Sequence, residues 1–247
     1  MNGQALIGVM LVALPGHAMA QEPPVAIAPF SAAAPGAALP APWQHQPLPK
    51  VERENRFSLV EDTPDGRAQT VLRIDSDAAA STLAHPLAVD PAERPWLSWR
   101  WKVSAPVAGS DFRRKEGDDY AARVYVLFDY PVERLSFGER AAIALARVLH
   151  GAELPTAALA YVWGTAQAAG AIGPNPYTDR VRMVVVDSGA ARAGQWVSVR
   201  RNVAEDFRAA FGEEAPPITG IAVAADTDNT GEAVTAWFAD LRLEAAQ

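Results

Sequence analysis

From Trp96 to Asp129 the chain reads WLSWRWKV, a polar loop, then DDYAARVYVLFD, and both runs change character residue by residue. Side chains point to opposite faces of a strand in turn, so a hydrophobic period of two calls for extended backbone with one dry face. In the first run Leu97, Trp99, Trp101 and Val103 oppose Ser98, Arg100 and Lys102. In the second, Tyr120, Ala122, Val124, Val126 and Phe128 oppose Asp119, Arg123, Tyr125 and Asp129. The loop between them carries the Gly, Ser and charged residues of a turn region. An antiparallel pair is the simplest geometry. It would gather Arg100, Lys102, Asp119, Arg123 and Tyr125 on one polar surface. Ordinary cross-strand ion pairs on a solvated sheet face account for the same residues.

Further strands follow from the same kind of signal. Phe57 to Val60 and Thr70 to Ile74 flank the turn Thr63-Pro64-Asp65-Gly66 and predict a hairpin. Ser81 to Val89 is extended, with Pro86 favouring an edge. Leu159 to Gly164, Val181 to Val186, Trp196 to Arg200, Ile218 to Ala224 and Thr235 to Leu243 complete the series, and Gly173 to Pro176 reads as a loop. Two helices interrupt it. Ser136 to Gly151 has a capping box with Glu139 and an apolar side, which packs on its own sheet or meets a partner. The other starts at Asn202, with Glu205 three residues on, and stops before Gly212, placing Phe207 and Phe211 on one side. The predicted fold class is mainly β: an antiparallel β-sandwich, jelly-roll-like, with two short helical insertions. Helices that fail to alternate with strands disfavour a parallel α/β sheet.

Ahead of this body, residues 1–20 read as a signal peptide: an apolar Ala5 to Leu14, then Ala18-Met19-Ala20 as a small-x-small cleavage site. The expected location is therefore periplasmic or secreted. Residues 21–50 are rich in Pro and Ala and read as a leader, with Phe30 and Trp43 able to dock on the body. Residues 51–247 form the sandwich domain, and no later stretch has the apolar length of a membrane span. A net charge of −7 argues against a nucleic-acid partner. With no cysteine in the chain, disulfides, thiolate catalysis and Cys-based zinc sites are excluded.

Several strings occur together in order: WRWKV at Trp99 to Val103, DDYAARVYVLFD at Asp118 to Asp129, YVWG at Tyr161 to Gly164, RNVAEDFRAAFG at Arg201 to Gly212 and DTDNTG at Asp226 to Gly231. With them the chain resembles the bacterial domain of unknown function 3047 family over roughly Phe57 to Leu243. That resemblance implies one exported domain and no particular chemistry. The ending AWFADLRL is similar to the last strand of carbohydrate-binding jelly rolls, an analogy of fold alone.

The chemistry-bearing residues are few. Asp226, Asp228 and Asn229 crowd a glycine-ended turn and are the candidate calcium ligands, since hard cations take several oxygens. The twelve-residue calcium-loop pattern is not completed: Trp237 stands where its bidentate Glu would fall. An Asx-rich turn explains the same residues. Asp118 and Asp119 are adjacent on a strand and face opposite ways, so they cannot act jointly as acid and base. A partner from Asp226 or Asp228 would require the loops to converge. Nucleophile elbows, H-E-x-x-H pairs and phosphate loops are missing. The flat faces of the tryptophans would suit sugar stacking; Trp99, Trp101 and Trp237 have aliphatic company and read as core, while Trp96, Trp163 and Trp196 are open to either role. The first expectation is a non-catalytic domain binding a glycan or similar polar ligand, or another envelope component, through Arg100, Lys102, Asp119, Arg123, Tyr125 and Asp228. The alternatives are a carboxylate-dependent polysaccharide hydrolase or lyase using Asp119 and Asp228, and an envelope scaffold using the Ser136 helix.

Overall fold

The computed structural model describes residues 24–246, apart from 28, 50, 136–137, 139 and 141–155. The strands are β1 (Val25–Ala26), β2 (Gln44–Pro47), β3 (Arg56–Asp62), β4 (Gln69–Asp77), β5 (Ala80–Val89), β6 (Trp96–Val103), β7 (Tyr120–Phe128), β8 (Ala157–Gly164), β9 (Ile172–Asn175), β10 (Thr178–Ser188), β11 (Val197–Asn202), β12 (Ile218–Asp226) and β13 (Ala233–Glu244). They form two sheets. The first runs β11-β6-β13-β4-β3, with β1 also on β13; the second runs β2-β5-β12-β7-β8-β10-β9. Every pairing is antiparallel except β8 with β10. The architecture is a β-sandwich, as the alternation requires.

The inward residues of the two sheets interlock. Trp99 meets Trp101 edge-on at 5.4 Å and Tyr161 at 5.3 Å, while Trp101 meets Trp163 at 5.9 Å. All four rings are buried, and aromatic pairs in such offset geometries add to the burial of their large apolar surface. The predicted hairpin is β3–β4, in register from Arg56 against Asp75 to Asp62 against Gln69.

Besides short 3-10 turns, the described residues hold one α-helix, α1 (Val203–Phe211), packed on the sandwich through Phe207. Its ends are those read from sequence. The Asn202 carboxamide oxygen accepts from the Glu205 N–H at 3.1 Å, and Gly212 holds φ 76°, the left-handed value that ends a helix at least cost in glycine. Phe207 stacks on Phe211 at 4.4 Å and meets Phe128 edge-on at 4.7 Å. The helix expected over Ser136 to Gly151 lies outside the described residues, as does the expected signal peptide.

Four expectations need correcting. First, β6 and β7 are not partners. β6 pairs with β11 and β13, and β7 with β12 and β8, so the two runs face each other across the core from separate sheets. Second, Pro86 does not mark an edge strand, because β2 covers β5; β2 pairs only residues 81–84, so the missing N–H of Pro86 lies beyond its reach. Third, Gly173 to Asn175 is the edge strand β9, not a loop, and Gly173 is needed because the Phe112 ring sits where a Cβ would be. Fourth, the Pro/Ala-rich leader is partly structured: β1 and β2 extend the two sheets, and Phe30 and Trp43 are buried, stacked at 5.3 Å.

Candidate functional site

The separation of β6 from β7 splits the sequence-derived site in two. Arg100 and Lys102 lie on the outer face of the first sheet. Asp119, Arg123, Tyr125 and Asp228 lie with the second. Because the outer faces of a sandwich point away from each other, the two groups do not share one surface.

On the second sheet the acidic loops do converge. Asp118 and Asp119 lead into β7, and Asp226 ends the neighbouring β12. The register between these strands slips by one residue: Ala224 opposes Arg123, but Asp226 opposes Tyr120. This bulge at Ala121 and Ala122 turns Tyr120 out of the sandwich core and onto the face of Arg123. Strict alternation had placed Tyr120 with Val124 and Phe128. Instead it packs in a small second cluster with Phe112, Ala160, Val162, Met183 and Val185, and the Arg123 guanidinium lies 4.7 Å above its ring.

Arg123 is the centre of this group and is only 2% exposed. Its Nε faces the Asp226 carboxylate, its Nη1 lies 3.1 Å from Asp118 Oδ1, and its Nη2 donates to the Asp118 carbonyl. Asn175 completes the arrangement by donating to Asp118 Oδ2 at 2.9 Å. Burial works against the charge on Arg123, but the carboxylates of Asp118 and Asp226 outweigh it and keep the guanidinium charged. Burial also pushes the Asp226 carboxyl up to about 7, against the pull of Arg123. Tyr125 lies on the same face, and burial raises its hydroxyl above the ordinary range.

Asp119 is fully buried and faces the other way. It accepts from the Asn229 side-chain amide at 3.0 Å, the Asn229 N–H at 3.4 Å, and the Thr230 N–H and hydroxyl at 2.7 Å each. Both its oxygens are thus committed to holding the turn from Asp226 to Gly231. Toward Asp119 the turn presents hydrogen-bond donors. Among the described residues no group of three or more His, Asp or Glu is placed to hold a metal ion. Asp228 is exposed at the tip of this turn.

The outer face of the first sheet is open and differently composed. Lys102 is paired with Asp62, and its ammonium lies 4.5 Å from the Trp237 ring and 5.2 Å from that of Trp196. Arg73 lies 5.9 Å from the other side of Trp237, which is half-buried between the two cations. The sequence had read Trp237 as core. Val234, Ala236 and Phe238 are the inward residues of β13, and the small side chain of Ala236 hid that phase. Trp196 also donates to Asp62 at 3.3 Å. Burial opposes ionisation of Asp62, but Lys102, the Thr63 N–H and Trp196 outweigh it and hold its carboxyl below the ordinary range.

Beside this row lies a shallow cleft of about 460 Å³ across β11, β6 and β13. Its floor is Ser98 and Ser198, and Arg100, Arg200 and Arg242 stand around it. Arg200 stacks 3.9 Å over Trp96 and lies 3.1 Å from Glu244, which also accepts from the Ser98 hydroxyl at 2.7 Å. Arg100 lies 3.7 Å from Asp65. A second bulge builds this cleft. The β13–β6 register slips between Ala239 and Arg242. Leu241 and Leu243 therefore enter the core and Arg242 turns outward. The sequence identified Arg100 and Lys102 and left Trp196 open, but missed Arg200, Arg242 and Trp237. WVSVR shows that Ser198 and Arg200 share a face, yet nothing local says that this face adjoins β6.

Among the described residues no helix is long and apolar enough to cross a membrane. No curated protein matches the sequence. Among solved structures, an arabinose-bound α-L-arabinofuranosidase aligns with 87% of this chain and 25% of its own, at 12% identity and a TM-score of 0.42. An exo-β-agarase aligns over 89% of this chain and 24% of its own, at 13% identity and a TM-score of 0.34. This chain thus spans about a quarter of the length of either enzyme. The sequence profile described as "Protein of unknown function (DUF3047)" matches residues 41–242. That is most of the chain, and the protein belongs to the DUF3047 family.

Proposed function

We propose that this protein is a non-catalytic saccharide-binding domain that works after export, and that its binding surface is the outer face of the β11-β6-β13-β4-β3 sheet. The single observation that carries this reading is the cleft over Ser98 and Ser198. Short hydroxyl side chains on the neighbouring strands β6 and β11 leave room for a ligand of sugar size, and ligand sites of this kind span some 300–1,000 Å³. The guanidinium groups around the floor are planar donors that suit paired hydroxyl or carboxyl oxygens. Trp96, Trp196 and Trp237 stiffen the surroundings, each held by a cation over its ring. The export assignment rests on the N-terminal apolar segment with its small-x-small end.

The carboxylates favour binding over hydrolysis. Asp119 has both oxygens occupied by turn donors, and Asp226 is buried against Arg123. A general acid or base must reach the proton it transfers. The test is a glycan array read with the wild-type protein and with Trp196→Ala and Arg100→Ala variants. Saccharide binding that falls in both variants is the expected result. An array on which no saccharide binds rejects the proposal.

A further inference from the structure

Resting on that reading, we infer that the saccharide is acidic, and that Arg100, Arg200 and Arg242 receive its carboxylate or sulfate groups. The register of the sheet places these residues. Arg200, Ser98 and Arg242 form one row across β11, β6 and β13, and Ser198, Arg100 and Ala239 form the next. Arg200 and Arg242 therefore flank Ser98 from the two neighbouring strands, roughly 10 Å apart at the backbone given the ordinary strand spacing. Arg100 closes the third corner, two residues along β6. Three guanidinium groups thus surround a floor with no side chain larger than serine or alanine.

Charge supports the same conclusion. The chain as a whole carries −7, so a surface gathering cations runs against its average. Within the cleft Glu244 meets Arg200 and Asp65 meets Arg100, while Arg242 stands exposed on the far strand as a third cation. A neutral sugar would leave these guanidinium groups paired as they are. An acidic group can bridge two of them, and bidentate guanidinium–carboxylate or guanidinium–sulfate pairs are the strong form of this contact. The β13 bulge matters here, because strict alternation would have buried Arg242 and exposed Leu241.

The experiment is titration of the full chain with polygalacturonate, dextran sulfate and neutral dextran, followed by calorimetry. The wild type, Arg242→Ala, Arg100→Ala and Trp196→Ala are compared, with equal melting temperatures confirming intact folds. Vesicles of phosphatidylglycerol and phosphatidylcholine form a separate arm. One or both acidic polymers should bind tighter than neutral dextran, and each arginine variant should lose about tenfold for them, against about twofold or less for neutral dextran. The preferred polymer tells carboxylate from sulfate. Equal binding of neutral and acidic polymers, unaffected by the arginine variants, overturns the acidic specificity and leaves the saccharide reading standing. Absence of binding to every polymer overturns both. Tighter binding to the vesicles than to any polymer assigns the cleft to a lipid surface and overturns the inference.

Discussion

At the scale of single residues the informative groups are the buried charges. Arg123 is enclosed by Asp118 and Asp226 beneath the Asp226 to Gly231 turn. Charge there is expensive to bury, and the pairing makes it tolerable. Asp226 gives this a measurable signature. Its carboxyl sits at about 7 in the folded chain, above the 3.8 of a free aspartate, so the folded state holds its proton more tightly. The sign follows: this group's contribution to stability is complete below the unfolded value and is lost as pH rises from about 4 to about 7. Asp226→Asn cannot titrate. The difference in unfolding free energy between wild type and Asp226→Asn, measured by urea titration, should therefore shift against the wild type across that window. A difference that stays flat with pH would show that Asp226 is ionised throughout.

At the scale of elements, the leader is the instructive case. Proline and alanine carry little strand signal, and β1 and β2 together are short. They form because the open edge of β5 and the end of β13 beyond the reach of β4 offer unpaired backbone groups, and because Phe30 and Trp43 fill apolar space beside them. Phe30→Ala and Trp43→Ala should each cost about 3–5 kcal/mol, the usual loss for emptying a large aromatic site. Urea titration of the two variants checks this; values under about 1 kcal/mol would mean that the leader is dispensable to the body. By contrast α1 was legible to the residue. Its cap, its glycine stop and its two phenylalanines all lie within the nine-residue helix and its two flanking residues, so local sequence contains the whole reason for it.

At the scale of the molecule, the two outer faces do separate jobs. The outer side of the β7–β12 pair is closed by its own loops and charges; the outer side of the β6–β13 pair is open. Arg123→Met should destabilise the fold by about 3–5 kcal/mol, because it strands two buried carboxylates. It should leave binding at the Ser98 cleft intact at temperatures where the chain stays folded. Arg242→Ala should do the reverse. Denaturation and titration of both variants check this, and loss of binding in Arg123→Met without unfolding would place Arg123 in the site.

Period-two patterning determined from sequence alone that the chain is a mainly antiparallel two-layered body and which residues of β6 are buried, and the capping residues determined where α1 starts and stops. These depend on neighbours a few positions apart. Which strands lie side by side was decided by the tertiary structure, because β6 and β7 show the same alternation whether they share a sheet or face each other across a core. The two bulges belong to it as well. A slip of one residue opposite Asp226 sends Tyr120 outward, and another after Ala239 sends Arg242 outward and Leu241 in. Each is fixed by the partner strand's register, which lies far along the chain from the residues it re-aims.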